Sequence, residues 1–128
     1  MDCAHWKEID HQKAVFSWAD EQITLGRKEL LLLGSFYNEV SRLSRFARAN
    51  RKALGFRKGI PDLYLLIPRG NYHGLFIELK SLCPTHRRAA SSCQGDFAKL
   101  LMLNGYRWTT CHGFENAIAE IERYLRHK

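Results

Sequence analysis

Two carboxylates and one ammonium interrupt otherwise apolar stretches of this chain. Asp62 stands in Ile60-Pro61-Asp62-Leu63, and Glu78 and Lys80 stand in Ile77-Glu78-Leu79-Lys80. Both stretches read as strands. The first carries Leu63, Leu65, Leu66 and Ile67, and the second Leu75, Phe76, Ile77 and Leu79. Glu78 and Lys80 are two apart, so in a strand they share a face. Charge in an apolar setting is costly unless it is paired or binds a metal. Asp, Glu and Lys converging at the edge of a buried sheet therefore point to a metal site with an adjacent ammonium. That is chemistry suited to phosphodiester hydrolysis. The backbone phosphate must lose some negative charge, a water must lose a proton, and the leaving oxygen must be stabilised. A divalent cation held by carboxylates serves all three. Mg²⁺ or Mn²⁺ suits such oxygen donors, with Asp62 and Glu78 as ligands and the Leu79 carbonyl as a third. Lys80 then lies beside the attacking water or the scissile phosphate, where it can stabilise the transition state.

The elements that must position these groups follow from periodicity. A helix is expected from about His5 to Ile23, with Trp6, Ile9, Phe16, Ala19 and Ile23 on one stripe. Glu8 and Gln12, one turn apart, lie on or beside that stripe. A short strand is expected at Glu29–Leu33 and a loop over 34–40. A second helix spans roughly Ser41 to Leu54 and stops at Gly55, with Leu43, Phe46, Ala47 and Leu54 on its apolar side. The strand Asp62–Ile67 follows. Pro68-Arg69-Gly70-Asn71 supplies hairpin chemistry, and the strand Gly74–Lys80 returns antiparallel. A helix from Ser91 to Asn104 opens with Ser91 and Gln94 at capping-box spacing. Tyr106 to Cys111 reads as a strand. Phe114 to Arg126 reads as a helix burying Phe114, Ala117, Ile118, Ile121 and Leu125. This order describes an α/β fold, a small mixed sheet flanked by helices, in one domain over 1–128.

Charge points to the substrate. Residues 41–58 carry seven basic and no acidic side chains, out of a formal net charge of +7 for the whole chain. Arg42, Arg45, Arg48, Arg51 and Lys52 fan across the second helix, and Arg57 and Lys58 follow it. Such a segment just before the carboxylate motif suits nucleic-acid phosphates. Arg87 and Arg88 flank the motif on its other side. Cys3, Cys83, Cys93 and Cys111 form no CxxC pair, so free thiols in a reducing cytosol are expected rather than zinc or disulfides. No apolar run approaches a membrane span, and residues 1–13 do not resemble a signal peptide. Trp6, Trp18 and Trp108 are expected in the core or at an interface.

The ordered set resembles the VRR-NUC nucleases, a branch of the PD-(D/E)xK superfamily with a restriction-endonuclease-like core. The likeness rests on Gly59-Ile60-Pro61-Asp62, the hairpin, Gly74 to Lys80, and Gln94. It extends to Glu8 with Gln12, Gly105-Tyr106, and the closing Tyr124-Leu125. The resemblance implies a metal-dependent endonuclease. It places Glu8 near the metal, Asp62 and Glu78 on it, Lys80 as the catalytic lysine, and Gln94 as a further site residue. Stand-alone phage and bacterial members are similar in size and often act as homodimers on branched DNA such as Holliday junctions. The segment Gly34-Ser35-Phe36-Tyr37-Asn38-Glu39-Val40 departs from the family pattern. The rival readings are a nucleic-acid-binding module without activity and a hydrolase of a small phosphorylated substrate.

Overall fold

The computed structural model describes residues 5–36, 45–82 and 92–128, without the side chains of 45–48 and 92–94. Helix α1 (Glu8–Thr24) begins where the Asp10 carboxylate accepts the Lys7 N–H at 2.9 Å. A 3-10 turn (Lys28–Leu32) leads into strand β1 (Leu33–Ser35). Helix α2 (Arg45–Ala53) precedes the hairpin of β2 (Leu63–Leu65) and β3 (Leu75–Lys80). Helix α3 (Ser92–Leu103), strand β4 (Arg107–His112) and helix α4 (Phe114–Leu125) complete the chain.

The four strands lie in the order β1-β2-β3-β4. The first two pairings are antiparallel and β3 runs parallel to β4. The mixed α/β sheet expected from the sequence is thus the one observed. Helix α3 provides the crossover that a parallel pair requires. In the β2–β3 connection, Arg69 and Tyr72 exchange backbone hydrogen bonds of 3.1 and 2.9 Å around Gly70, whose φ of +55° suits glycine.

One sheet face holds the core. Leu63, Leu65, Leu75, Ile77 and Leu79 pack with Val15 and Ala19 of α1 and Ala117, Ile121 and Tyr124 of α4. By the two-residue alternation of strands, Gly34, Tyr64, Phe76, Glu78 and Lys80 belong to the opposite face. The strand β3 is buried along its whole length, and Tyr124 is pinned to the sheet by donating to the Ile67 carbonyl at 2.6 Å.

Several expectations are corrected. The buried line of α1 is His11, Val15 and Ala19, spaced by four, while Ile9 is 44% exposed. The expected strand at Glu29–Leu33 is instead the 3-10 turn, and β1 starts only at Leu33. At three residues per turn, Leu30 and Leu33 both point inward, leaving Leu31 and Leu32 exposed. Leu66 falls just past β2 and is 52% exposed, and Leu54, expected on an apolar helix side, is 71% exposed. Residues 37–44, where the loop and the head of the second helix were expected, lie outside the described residues.

Candidate active site

Asp62 precedes β2 and follows Pro61, which is fully buried. Its carbonyl accepts the Phe36 N–H at 3.3 Å, which extends the β1–β2 ladder by one rung. Its side chain does the same toward β3: Oδ2 accepts the Leu79 N–H at 2.7 Å. The register Leu63↔Ile77, continued by one residue, brings Asp62 opposite Glu78. The two carboxyl groups thus stand side by side on one face of the sheet.

Glu78 and Lys80 stand side by side on the same face of β3. Lys80 Nζ lies 3.4 Å from Glu78 Oε1, with the two side chains 10% and 6% exposed. Burial raises the Asp62 carboxyl above its usual value. The Leu79 N–H, the Lys80 charge and the Glu78 contact oppose that rise without cancelling it. The arrangement is two neighbouring hard oxygen donors, largely removed from water, with one ammonium against them. A divalent cation fits this donor set.

The Leu79 carbonyl belongs to the same edge. In a strand, a residue's N–H and C=O point to the same side. The Lys80 carbonyl accepts the Gly113 N–H at 2.9 Å, on the β4 side. Leu79 therefore faces the other way, as its N–H bond to Asp62 confirms. The oxygen is aimed past the end of β2, beside the carboxylate pair.

Glu8 opens α1, and that end of the helix is tied to the end of β3. The Ser81 hydroxyl, next to Lys80, donates to the Trp6 carbonyl at 2.6 Å. Among the described residues, no three His, Cys, Asp or Glu side chains gather closely enough to hold an ion together. Gln94 falls in the first turn of α3, and its side chain lies outside the described residues. So do Arg42, Arg87 and Arg88, and the side chains of Arg45 and Arg48. Lys52, Arg57 and Lys58 are exposed, and the Arg51 guanidinium lies 4.5 Å from the centre of the Phe56 ring.

No family model and no curated protein matches the chain. A solved structure described as a "VRR_NUC domain protein" matches it with a TM-score of 0.77 and 28% identity, over 94% of this chain and 89% of that one. The chain forms a VRR-NUC-type domain. Its sequence resemblance and its observed sheet thus agree, and they class it as a nuclease-type domain. Within this VRR-NUC-type domain the structure brings together Asp62, Glu78, Lys80 and the Leu79 carbonyl.

Among the described residues, three buried polar side chains escaped the sequence reading: Ser81, His11 and Glu120. His11 is fully buried between Trp6 and Phe114, and its Nδ1 accepts the Phe114 N–H at 3.0 Å, capping α4. Glu120 is buried on α4 and accepts from Arg107 at 2.9 Å and from Arg123 at 2.8 Å. The only sequence signal for His11 was its four-residue spacing from Val15 and Ala19.

Proposed function

We propose that this chain is a single-domain Mg²⁺- or Mn²⁺-dependent DNA endonuclease. The observation that carries the reading is the carboxyl pair of half-buried Asp62 and buried Glu78, with the Lys80 ammonium against Glu78. Asp62, Glu78 and the Leu79 carbonyl are the groups that would hold the cation, with Glu8 acting at its periphery. When bound, the ion supplies charge neutralisation of the phosphate and activation of water for attack.

The chain's own residues do the rest. Glu78 holds Lys80 Nζ at the carboxylate pair, which places the ammonium where negative charge develops on the phosphate. Lys80 can also orient the attacking water through an N–H donor. Glu78 and Lys80 are themselves buried, which strengthens their electrostatic interactions. Gln94, at the head of α3, orients the site. Arg42, Arg45, Arg48, Arg51, Lys52, Arg57, Lys58, Arg87 and Arg88 hold the DNA backbone by charge. Branched DNA, such as a Holliday junction, is the preferred substrate, and a homodimer presents two sites to two strands. These last two points rest on the family resemblance, as does a role in DNA repair within a bacterial or phage-infected cytoplasm. Among the described residues no helix is long and apolar enough to cross a membrane.

The test is cleavage of a panel of duplex, flap, fork and four-way-junction DNA with Mg²⁺, Mn²⁺ or EDTA. Wild type should cut at least one branched substrate with metal and none in EDTA. Asp62→Asn, Glu78→Gln and Lys80→Ala should each lose at least about a hundred-fold in rate, as expected for removing a group that stabilises the transition state. Wild type inert on every substrate with both metals would overturn the reading.

A further inference from the structure

We infer that Phe36 and Tyr64 form a stacking platform for the base of an unpaired nucleotide next to the scissile phosphate. The inference rests on the nuclease reading above and adds to it a substrate feature: a single-stranded nucleotide at the cleavage point.

The placement comes from the sheet. Phe36 donates its N–H to the Asp62 carbonyl at 3.3 Å, so it stands directly across the β1–β2 ladder from Asp62. Tyr64 is two residues beyond Asp62 and pairs with Gly34. Alternation puts Phe36, Asp62 and Tyr64 on one face, shared with Glu78 and Lys80 and opposite to the core. Cross-strand neighbours on one face are about 5 Å apart at Cβ. A phosphate positioned beside the Asp62–Glu78–Lys80 site thus has aromatic surface within one nucleotide's reach.

The two rings pack against each other. Their centroids are 5.0 Å apart with planes tilted by 57°, and both residues are half-buried. Tyr64 does not stand up from the sheet. Its hydroxyl end lies across Gly34, where an added Cβ would overlap Oη and meet Cζ at 2.5 Å. Only glycine at position 34 lets the ring lie down over β1, and a ring lying down offers its face rather than its edge. Neither aromatic belongs to the core cluster on the other face. Bases of unpaired nucleotides recognise such surfaces by stacking, without regard to sequence, while paired bases in a duplex have their faces occupied. Of the platform, Phe36 and the Gly34 beneath Tyr64 fall in the segment that departs from the family pattern, while Tyr64 itself comes from β2.

The experiment uses the full chain in EDTA, where binding is read without cleavage. Two probes carry the fluorescent base 2-aminopurine: a duplex with a single-stranded tail bearing it, and a blunt duplex with it paired. Wild type should bind the tailed probe more tightly and quench its fluorescence. Phe36→Leu and Tyr64→Leu should each weaken tailed binding roughly ten-fold and lose the quench, while blunt-duplex binding and thermal midpoints stay unchanged. Tyr64→Phe should keep both signals. Gly34→Ala, which displaces the Tyr64 ring while leaving it in the protein, should reduce them. Leucine variants that bind and quench as wild type does would overturn the platform, as would binding of the tailed probe by wild type without quenching. No binding of either probe by wild type would overturn both this inference and the nuclease reading.

Discussion

Replacing Lys80 by methionine keeps the length and apolar stem of the side chain and removes its charge. The ammonium lies 3.4 Å from Glu78 Oε1, and both side chains are at most 10% exposed. At an effective dielectric of about 20, unit charges at that separation attract by about 5 kcal/mol. The net loss is smaller, because methionine carries no desolvation cost, and breaking a buried pair from one side costs about 3–5 kcal/mol. Asp62 adds to the effect. Its carboxyl already sits above its usual value through burial, and the Lys80 charge is one of the forces holding it down. Without Lys80, it rises further. A carboxyl raised in the folded state is harmless below its unfolded value and destabilises as pH rises through the folded one. The deficit should therefore be near 3 kcal/mol at neutral pH and shrink toward zero near about pH 4. Urea unfolding in EDTA across that range measures it. Adding Mg²⁺ at a hundred times its Kd should return about 2.7 kcal/mol, because a cation at the carboxylate pair replaces the missing ammonium. A variant as stable as wild type at neutral pH, or a deficit that persists unchanged in acid, would refute this account of the site.

The remaining expectations concern the rest of the molecule. His11 is neutral in the fold because burial lowers its pKa, with the Asp10 charge opposing. Its contribution to stability is thus present above about pH 6.5 and declines below it, at up to about 1.4 kcal/mol per pH unit; His11→Asn should flatten that part of the urea-midpoint profile. Tyr124→Phe removes a 2.6 Å bond to the Ile67 carbonyl and should cost about 1–2 kcal/mol, read by urea unfolding with unchanged far-UV circular dichroism. Burial pushes the Cys111 thiol up to about 12, so in a protein with the other three cysteines replaced by serine it should resist thiol reagents until unfolded.

What the sequence could and could not disclose follows from its periodicities. The motif strands were legible because Asp62, Glu78 and Lys80 break apolar runs bounded by turn residues. Helix α4 was legible because Ala117, Ile118 and Ile121 keep a clean helical spacing, though Glu120 and Tyr124 at the same interface were not foreseen. Helix α1 was read in part: Ala19 is on its inward line and Phe16 and Ile23 pack beside it, but Val15 was missed, and His11 counts as polar by type yet is buried by place. The run Leu30 to Leu33 has no internal period, so nothing in it distinguishes a strand from a tight turn. The aromatic pair was hidden for another reason. Phe36 and Tyr64 meet only through the β1–β2 register, and that register depends on where β1 begins.

The bond from the Leu79 N–H to Asp62 Oδ2 fixes more than a strand end. Asp62 completes the ladder with one carboxylate oxygen, and this restrains the direction of the other. The group is aimed before any ligand arrives, so binding need not first freeze a rotating side chain. The same bond makes assembly of the site and closure of the hairpin a single event. A chain in which β2 slips by one residue along β3 loses the rung and the aim together.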